Sequence, residues 1–64
     1  MRVTVVLKEG YYDDPDGGWI PAVTAEGELV SVMWHPIDGP TGAVLMPWGE
    51  FEYYKMEKIE AIDQ

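Results

Sequence analysis

The sequence predicts an all-β protein: a small antiparallel barrel of about five strands, with a short helical turn before the last strand. Three observations support this fold class. Apolar and polar residues alternate with a period of two in β-branched runs, a pattern typical of half-buried strands. Clusters of glycine and proline separate these runs. The chain has 64 residues, of which 47% are hydrophobic, so it fits one small β domain over residues 1–64.

The first predicted strand covers residues 2–9, RVTVVLKE. Val3, Val5 and Leu7 share one face, and Val6 is the one apolar residue on the other face. This alternation predicts a strand that is buried on one side.

The second and third predicted strands cover residues 19–26 and 29–35. A short hairpin is predicted between them, because Gly27 can adopt the left-handed conformation that such a turn needs. Pro21 has no backbone N–H, so it is expected at a sheet edge or a bulge.

A loop is predicted over residues 35–42, which contain two prolines and two glycines. Residues 43–48 form the fourth predicted strand, which ends near Pro47. The C-terminal segment has two interpretations. The preferred one is a helical turn at PWGEF followed by a final strand to about Ile62.

The alternative for the C-terminal segment is a helix, which gives an α+β fold with a four-stranded meander. Its residue types are good helix formers. Lys55 and Lys58 would then fall in the middle of the apolar helix face. An amphipathic helix does not normally carry two charges there, which disfavours this alternative.

The connection between the first two predicted strands, residues 9–19, is the most distinctive stretch of the chain. Residues 14–17, DPDG, predict a type I turn in which Pro15 sets φ and Gly17 leaves with positive φ. Gly10 permits a bend before the tip. A calcium loop is excluded, because counting from Asp14 puts glycine and tryptophan where ligands and the invariant glycine belong.

The same connection is the candidate protein-binding site. Aromatic rings beside fixed negative charge suit a basic peptide or an arginine, through stacking and charge-assisted hydrogen bonds. At least one of the aromatic rings is expected to close the end of the core instead. The predicted binding residues are Tyr11, Tyr12, Asp13, Asp14, Asp16 and Trp19.

Charge restricts the class of partner. Twelve Asp and Glu residues against four Lys and Arg give a net charge of −8. Such a chain repels phosphate backbones and anionic membranes, which predicts a protein partner with a basic surface and no direct nucleic-acid or membrane binding. The chain has no cysteine, no leader pattern and no run of roughly 20 apolar residues, which predicts a cytoplasmic protein.

The layout resembles the SH3-like family of small β-barrels. In that family a long acidic loop with aromatic residues follows the first strand, and a short helical turn precedes the last. YYDDPDGGW corresponds to the loop, and MPWGEF to the segment before the final strand. The resemblance implies a peptide groove, formed here by Tyr11, Tyr12, Trp19, Pro47 and Tyr54.

No catalytic constellation, cofactor site or metal site is predicted. The chain has a single serine, and His35 is its only histidine; no nucleophile elbow or phosphate loop surrounds it. A histidine at the end of a strand is expected to be structural or solvent-facing.

Three non-enzymatic functions fit the sequence. The first is an interaction module, such as an inhibitor or adaptor, that uses the aromatic and acidic connection. The second is a mimic of nucleic-acid charge that blocks a basic site. The third is a self-associating structural subunit, of the kind a bacteriophage encodes, which forms a homo-oligomer through an apolar outer face that includes Val6, Met33 and Leu45.

Overall fold

The protein is almost entirely β-structure, which confirms the predicted fold class. The computed structural model describes residues 1–13 and 17–62. Within these residues the elements are β1 (Arg2–Lys8), β2 (Tyr11–Asp13), β3 (Gly18–Ile20), β4 (Val23–His35), β5 (Gly39–Leu45), β6 (Phe51–Lys55), a 3₁₀ helix (Met56–Lys58) and β7 (Ile59–Ala61). No helix among the described residues has the length and apolar character that crossing a membrane requires.

Five strands form one antiparallel sheet in the order β6-β5-β4-β1-β7, and β2 pairs with β3 in a separate hairpin. The sheet is not a closed barrel, because its two edges, β6 and β7, do not pair with each other. The 3₁₀ helix joins these edges and contacts β1 and β5. The two edge strands are therefore linked by this turn and not by hydrogen bonds between strands.

The core is small and lies under β1 and β5. Its buried cluster consists of Val3, Val5, Val44 and Met46. The alternation predicted for the first strand is confirmed at Val3 and Val5, but Leu7 is exposed. The pairing of β1 with β4 shifts register between Val6 and Lys8. This irregularity precludes regular period-two alternation at the end of the strand.

The predicted hairpin at Gly27 is wrong, since β4 runs without a turn from Val23 to His35. Gly27 does not have positive φ. A Cβ atom at this position would lie 2.6 Å from Val44 Cγ1 and 2.9 Å from the carbonyl oxygen of Leu45. Glycine is therefore needed here for close packing of β4 against the end of β5.

The ends of the other predicted strands and loops differ from those in the structure. The second predicted strand is divided, since β3 ends at Ile20, and Pro21 lies between β3 and β4. The predicted loop over residues 35–42 narrows to a turn at 36–38, and β5 already begins at Gly39. Because β5 and β4 pair as far as His35 and Gly39, backbone pairing overrides the local turn composition.

The C-terminal segment contains strands and a helical turn, as preferred, and the long helix is wrong. The helical turn lies at Met56–Lys58 and not at PWGEF. Residues 47–49 instead form the tight turn between β5 and β6, in which Gly49 has φ of 87° and donates to the carbonyl of Met46 at 2.9 Å. Exposed and half-buried residues alternate along β6, as they do in a strand with one face toward the core.

The packing at Gly27 yields a stability prediction. We expect Gly27→Ala to destabilise the protein by about 1–3 kcal/mol, since the added methyl group forces β4 and β5 apart. In a domain of this size each kcal/mol lowers the melting temperature by about 4–8 °C. Thermal unfolding followed by circular dichroism measures the change.

The matched control is Gly18→Ala. A Cβ atom at Gly18 meets nothing within 4 Å, so its melting temperature should stay close to that of the wild type. Equal melting temperatures for the two variants would show that Gly27 is not a packing constraint.

Candidate functional site

The candidate site is the β2–β3 hairpin, which has its own two-stranded sheet. Tyr12 pairs with Trp19, and Asp13 pairs with Gly18. At the tip, the N–H of Gly17 donates to the carbonyl of Asp13 at 2.7 Å. Gly17 has φ of 68°, which confirms the predicted positive φ. Residues 14–16 of the predicted turn, which include the predicted binding residues Asp14 and Asp16, lie outside the described residues.

One face of the hairpin presents a pair of exposed aromatic rings. The centroids of Tyr12 and Trp19 are 5.1 Å apart with an interplanar angle of 67°, an edge-to-face arrangement. Tyr12 is 70% exposed and Trp19 57% exposed. Edge-to-face pairs contribute about 0.5–1.5 kcal/mol beyond the area they bury. The contact therefore favours this arrangement of the two rings although they lie outside the core.

The indole ring of Trp19 packs against the backbone of Gly10. A Cβ atom at Gly10 would lie 2.4 Å from Trp19 Cζ2, so the ring lies directly over the glycine backbone. The sequence indicates only that Gly10 permits a bend. The close approach of the ring depends on β3 folding back along β2, which no local pattern encodes.

The opposite face of the hairpin carries Tyr11 and Ile20, which are paired and exposed. Lys8 Nζ lies 5.5 Å from the centroid of the Tyr11 ring, within the range of a cation–π contact. None of the three aromatic residues of the hairpin belongs to the core cluster or packs against it. The expectation that one of them closes the end of the core is therefore wrong, and all three rings face solvent.

The described carboxylate of the hairpin, that of Asp13, lies on the face opposite the aromatic pair, because Asp13 alternates with Tyr12 along β2. Asp13 is exposed and makes no ion pair among the described residues. The lysines that form ion pairs do so elsewhere: Lys55 Nζ lies 3.9 Å from Asp38 Oδ1, and Lys58 binds Glu9. The hydrogen bond with Glu9 raises the pKa of Lys58.

Two residues of the groove implied by the SH3-like resemblance, Pro47 and Tyr54, line different cavities. Pro47 lines a cavity beside β1 and β4, and Tyr54 lines another beside β6. Neither cavity is lined by a residue of the hairpin. Burial, followed by the nearby carboxylate of Glu52, raises the pKa of Tyr54, so this tyrosine lies partly within the fold.

A second concave surface lies next to β6, with a volume of about 650 Å³. Its chemistry differs from that of the hairpin, since it holds two of the three lysines and the single histidine of the chain. Its lining residues are Met33, His35, Asp38, Thr41, Tyr53, Tyr54, Lys55 and Lys58. No group of three or more His, Asp or Glu side chains in residues 1–13 and 17–62 is arranged to hold a metal ion.

His35 holds the turn between β4 and β5. Its Nδ1 accepts hydrogen bonds from the backbone N–H groups of Ile37 and Asp38, both at 3.1 Å. Nδ1 is therefore the unprotonated nitrogen of the ring in this arrangement. The imidazole thus accepts the backbone hydrogen bonds that the side chain of Asp or Asn accepts in an Asx turn. The geometry agrees with a structural role for this histidine.

The three residues of the proposed apolar outer face lie apart. Val6 pairs with Thr24, Leu45 with Glu28, and Met33 with Thr41. Their partners are thus distributed along β4 and β5, and β4 carries Glu26 and Glu28 between them. The larger exposed apolar side chains are others that sequence patterns do not single out: Trp34, Ile37, Phe51 and Tyr53.

The turn held by His35 yields a second prediction. We expect His35→Ala to destabilise the protein by about 0.5–1.5 kcal/mol, since two backbone donors lose their acceptor. His35→Asn should retain most of the stability, because the amide oxygen of asparagine accepts from the same backbone N–H groups. Urea unfolding of the three proteins measures the difference. If the two variants unfold at the same urea concentration, the acceptor role of Nδ1 is refuted.

Comparison of the chain with protein-family models, with curated proteins and with solved structures returned no match. The function is therefore inferred from the residues and their geometry alone.

Proposed function

We propose that this protein is a small non-enzymatic interaction module, an inhibitor or adaptor, whose β2–β3 hairpin binds a basic surface of a partner protein. The observation that carries the proposal is the exposed edge-to-face pair of Tyr12 and Trp19. Asp13, which makes no ion pair among the described residues, lies on the other face of the same hairpin. Arginine is the preferred target, because its planar guanidinium group stacks on aromatic rings and its positive charge is attracted by the acidic chain.

Energetics favour the hairpin as a contact surface. Phe, Tyr and Trp side chains bury about 150–250 Å² each when they are enclosed. Trp19 and Tyr12 keep more than half of their surfaces in water, so a partner can still remove much apolar area from solvent. Tyrosine, tryptophan and arginine are also the residues most often found at the energetic centres of interfaces.

The ordered packing of the Trp19 side chain also supports the hairpin as the binding site. The indole of Trp19 lies over Gly10 and against the ring of Tyr12. Side chains that are already ordered lose less conformational entropy on binding. The aromatic pair can therefore act as a rigid anchor on an otherwise polar and acidic surface.

The SH3-like layout is a third support, since the hairpin follows β1 just as the long acidic loop of that family follows its first strand. The net charge of −8 favours a basic partner and raises the rate of encounter with it. The partner itself can be identified by affinity capture from the source cell and mass spectrometry.

The proposal predicts which side chains dominate binding. With a short arginine-rich peptide as the probe, we expect Trp19→Ala and Tyr12→Ala each to weaken binding by about tenfold or more, because both remove anchor rings. Fluorescence anisotropy of the labelled peptide measures the affinity. NMR shifts of the backbone amides of residues 10–13 and 17–20 locate the contact.

Two controls accompany this measurement. Glu57→Gln and Glu60→Gln each remove one negative charge from a position outside the hairpin, so their effects should be much smaller. A peptide with citrulline in place of arginine keeps the shape and removes the charge, and it should bind weakly. If the glutamine variants lose as much affinity as the alanine variants, the hairpin is not the binding site.

Charge mimicry is the competing function, and salt distinguishes it. At 1 M salt the Debye length is about 3 Å, so contacts that depend on exposed charge are largely screened. We expect aromatic anchoring to retain much of the peptide affinity when NaCl is raised from 0.1 M to 1 M, measured by the same anisotropy assay. A steep loss that is equal in wild type and Trp19→Ala would favour charge mimicry.

A further inference from the structure

Strand β6 is an uncovered edge of the main sheet. Its five residues, Phe51–Lys55, pair with β5 on one side and with no described strand on the other. Edge strands are commonly protected by proline, by a bulge or by a charge in the middle of the strand. β6 has no proline and pairs with β5 without a register shift. Its centre is an aromatic residue, Tyr53, and its two charged residues, Glu52 and Lys55, lie to either side of it.

The hydrogen-bond pattern shows which backbone groups of β6 point outward. Met46 donates to the carbonyl of Glu50 at 2.9 Å, so this is a hydrogen-bonded position of the β5–β6 hairpin. Such positions alternate along an antiparallel pair. Glu52 and Tyr54 therefore bond to β5, and the N–H and C=O groups of the other three residues of β6 point away from the sheet: Phe51, Tyr53 and Lys55.

The same three residues share one face of the sheet through their side chains, since residues two apart do so in a strand. Phe51 is 58% exposed and Tyr53 is 63% exposed. The free edge thus combines unpaired backbone groups with exposed aromatic rings. This combination is the physical signature of a strand that can accept another strand.

From this geometry we propose that β6 pairs antiparallel with β6 of a second copy of this chain, about a two-fold axis through Tyr53. In that register Tyr53 faces its own copy, and Phe51 faces Lys55. Tyr53 exchanges two backbone hydrogen bonds with its copy, and the N–H of Lys55 donates to the carbonyl of the opposite Phe51 on each side, about four in all. The carbonyl of Lys55 is not counted, because Lys55 is the N-cap residue of the 3₁₀ helix. The two sheets become one continuous sheet, and the contact closes with two-fold symmetry.

The register is self-complementary in side-chain chemistry. Two tyrosines meet at the axis, and a lysine meets a phenylalanine on each side of it; aromatic and cation–π contacts of these types are favourable. On the other face, Glu52 lies opposite Tyr54. No two like charges are directly opposite each other, although each chain carries a net charge of −8. The second copy is therefore a better occupant of this edge than an unrelated acidic strand.

The second free edge, β7, is a weaker candidate. It has three residues, Ile59–Ala61, and Glu60 lies at its centre. Antiparallel self-pairing about Glu60 would place two carboxylates opposite each other, which is unfavourable. Pairing of β6 with β7 of another copy would be head-to-tail and would extend without closing.

The test is the oligomeric state of the whole chain and of two variants at Tyr53. Sedimentation equilibrium of the wild type up to millimolar concentration should show a monomer–dimer equilibrium. Tyr53→Lys and Tyr53→Glu each place like charges across the two-fold axis, and each should weaken dimerisation by tenfold or more. An equimolar mixture of the two variants should restore the dimer, because opposite charges then meet. Circular dichroism verifies that both variants are folded.

Tyr12→Lys is the matched control, since it changes an equally exposed tyrosine on the hairpin. It should leave dimerisation unchanged while it weakens peptide binding, so the two surfaces are tested independently. Added salt should strengthen the dimer by screening the repulsion between two acidic chains. A wild type that stays monomeric, a Tyr53→Lys variant that dimerises like the wild type, or a mixture that stays monomeric would each overturn the proposal.

Discussion

The close approach of the sheet strands at two glycines is the constraint on which the rest of the structure depends. A Cβ atom at Gly27 would collide with Val44, and one at Gly42 would lie 2.6 Å from Ile59 Cδ1 and 2.8 Å from Leu29 Cδ1. The absence of side chains at these positions makes room for the apolar groups that fill the core. Because Ile59 belongs to β7, the same space also secures the last strand against the sheet.

The core is small, and its small size explains why many aromatic side chains are exposed. The buried cluster contains only aliphatic and methionine side chains, and all three tryptophans are exposed. A chain of this size buries only about 60% of the surface that it exposes when unfolded. Large aromatic side chains that are not needed for the core are thus available for contacts with other molecules, and they lie on the hairpin, at the end of β4, in the turn before β6 and on β6.

The two proposed contact surfaces differ in their physics. The hairpin offers ordered rings on a chain with a net charge of −8, which suits a positively charged partner of different sequence. The free edge of β6 offers backbone hydrogen bonds and a self-complementary row of side chains, which suits an identical strand. Salt acts on them in opposite directions, since it screens attraction at the first surface and repulsion at the second.

Sequence alone determined the β class, the burial of Val3 and Val5 and the positive φ of Gly17, because these depend on alternation and turn chemistry that neighbouring residues encode. Tertiary structure decided the rest. The local sequence predicts a turn at Gly27. In the structure Gly27 lies within β4, and its lack of a side chain allows β5 to approach closely. The position of the 3₁₀ helix and the exposure of Trp19 likewise depend on which strands meet. Such contacts join residues far apart in the chain, and no local pattern records them.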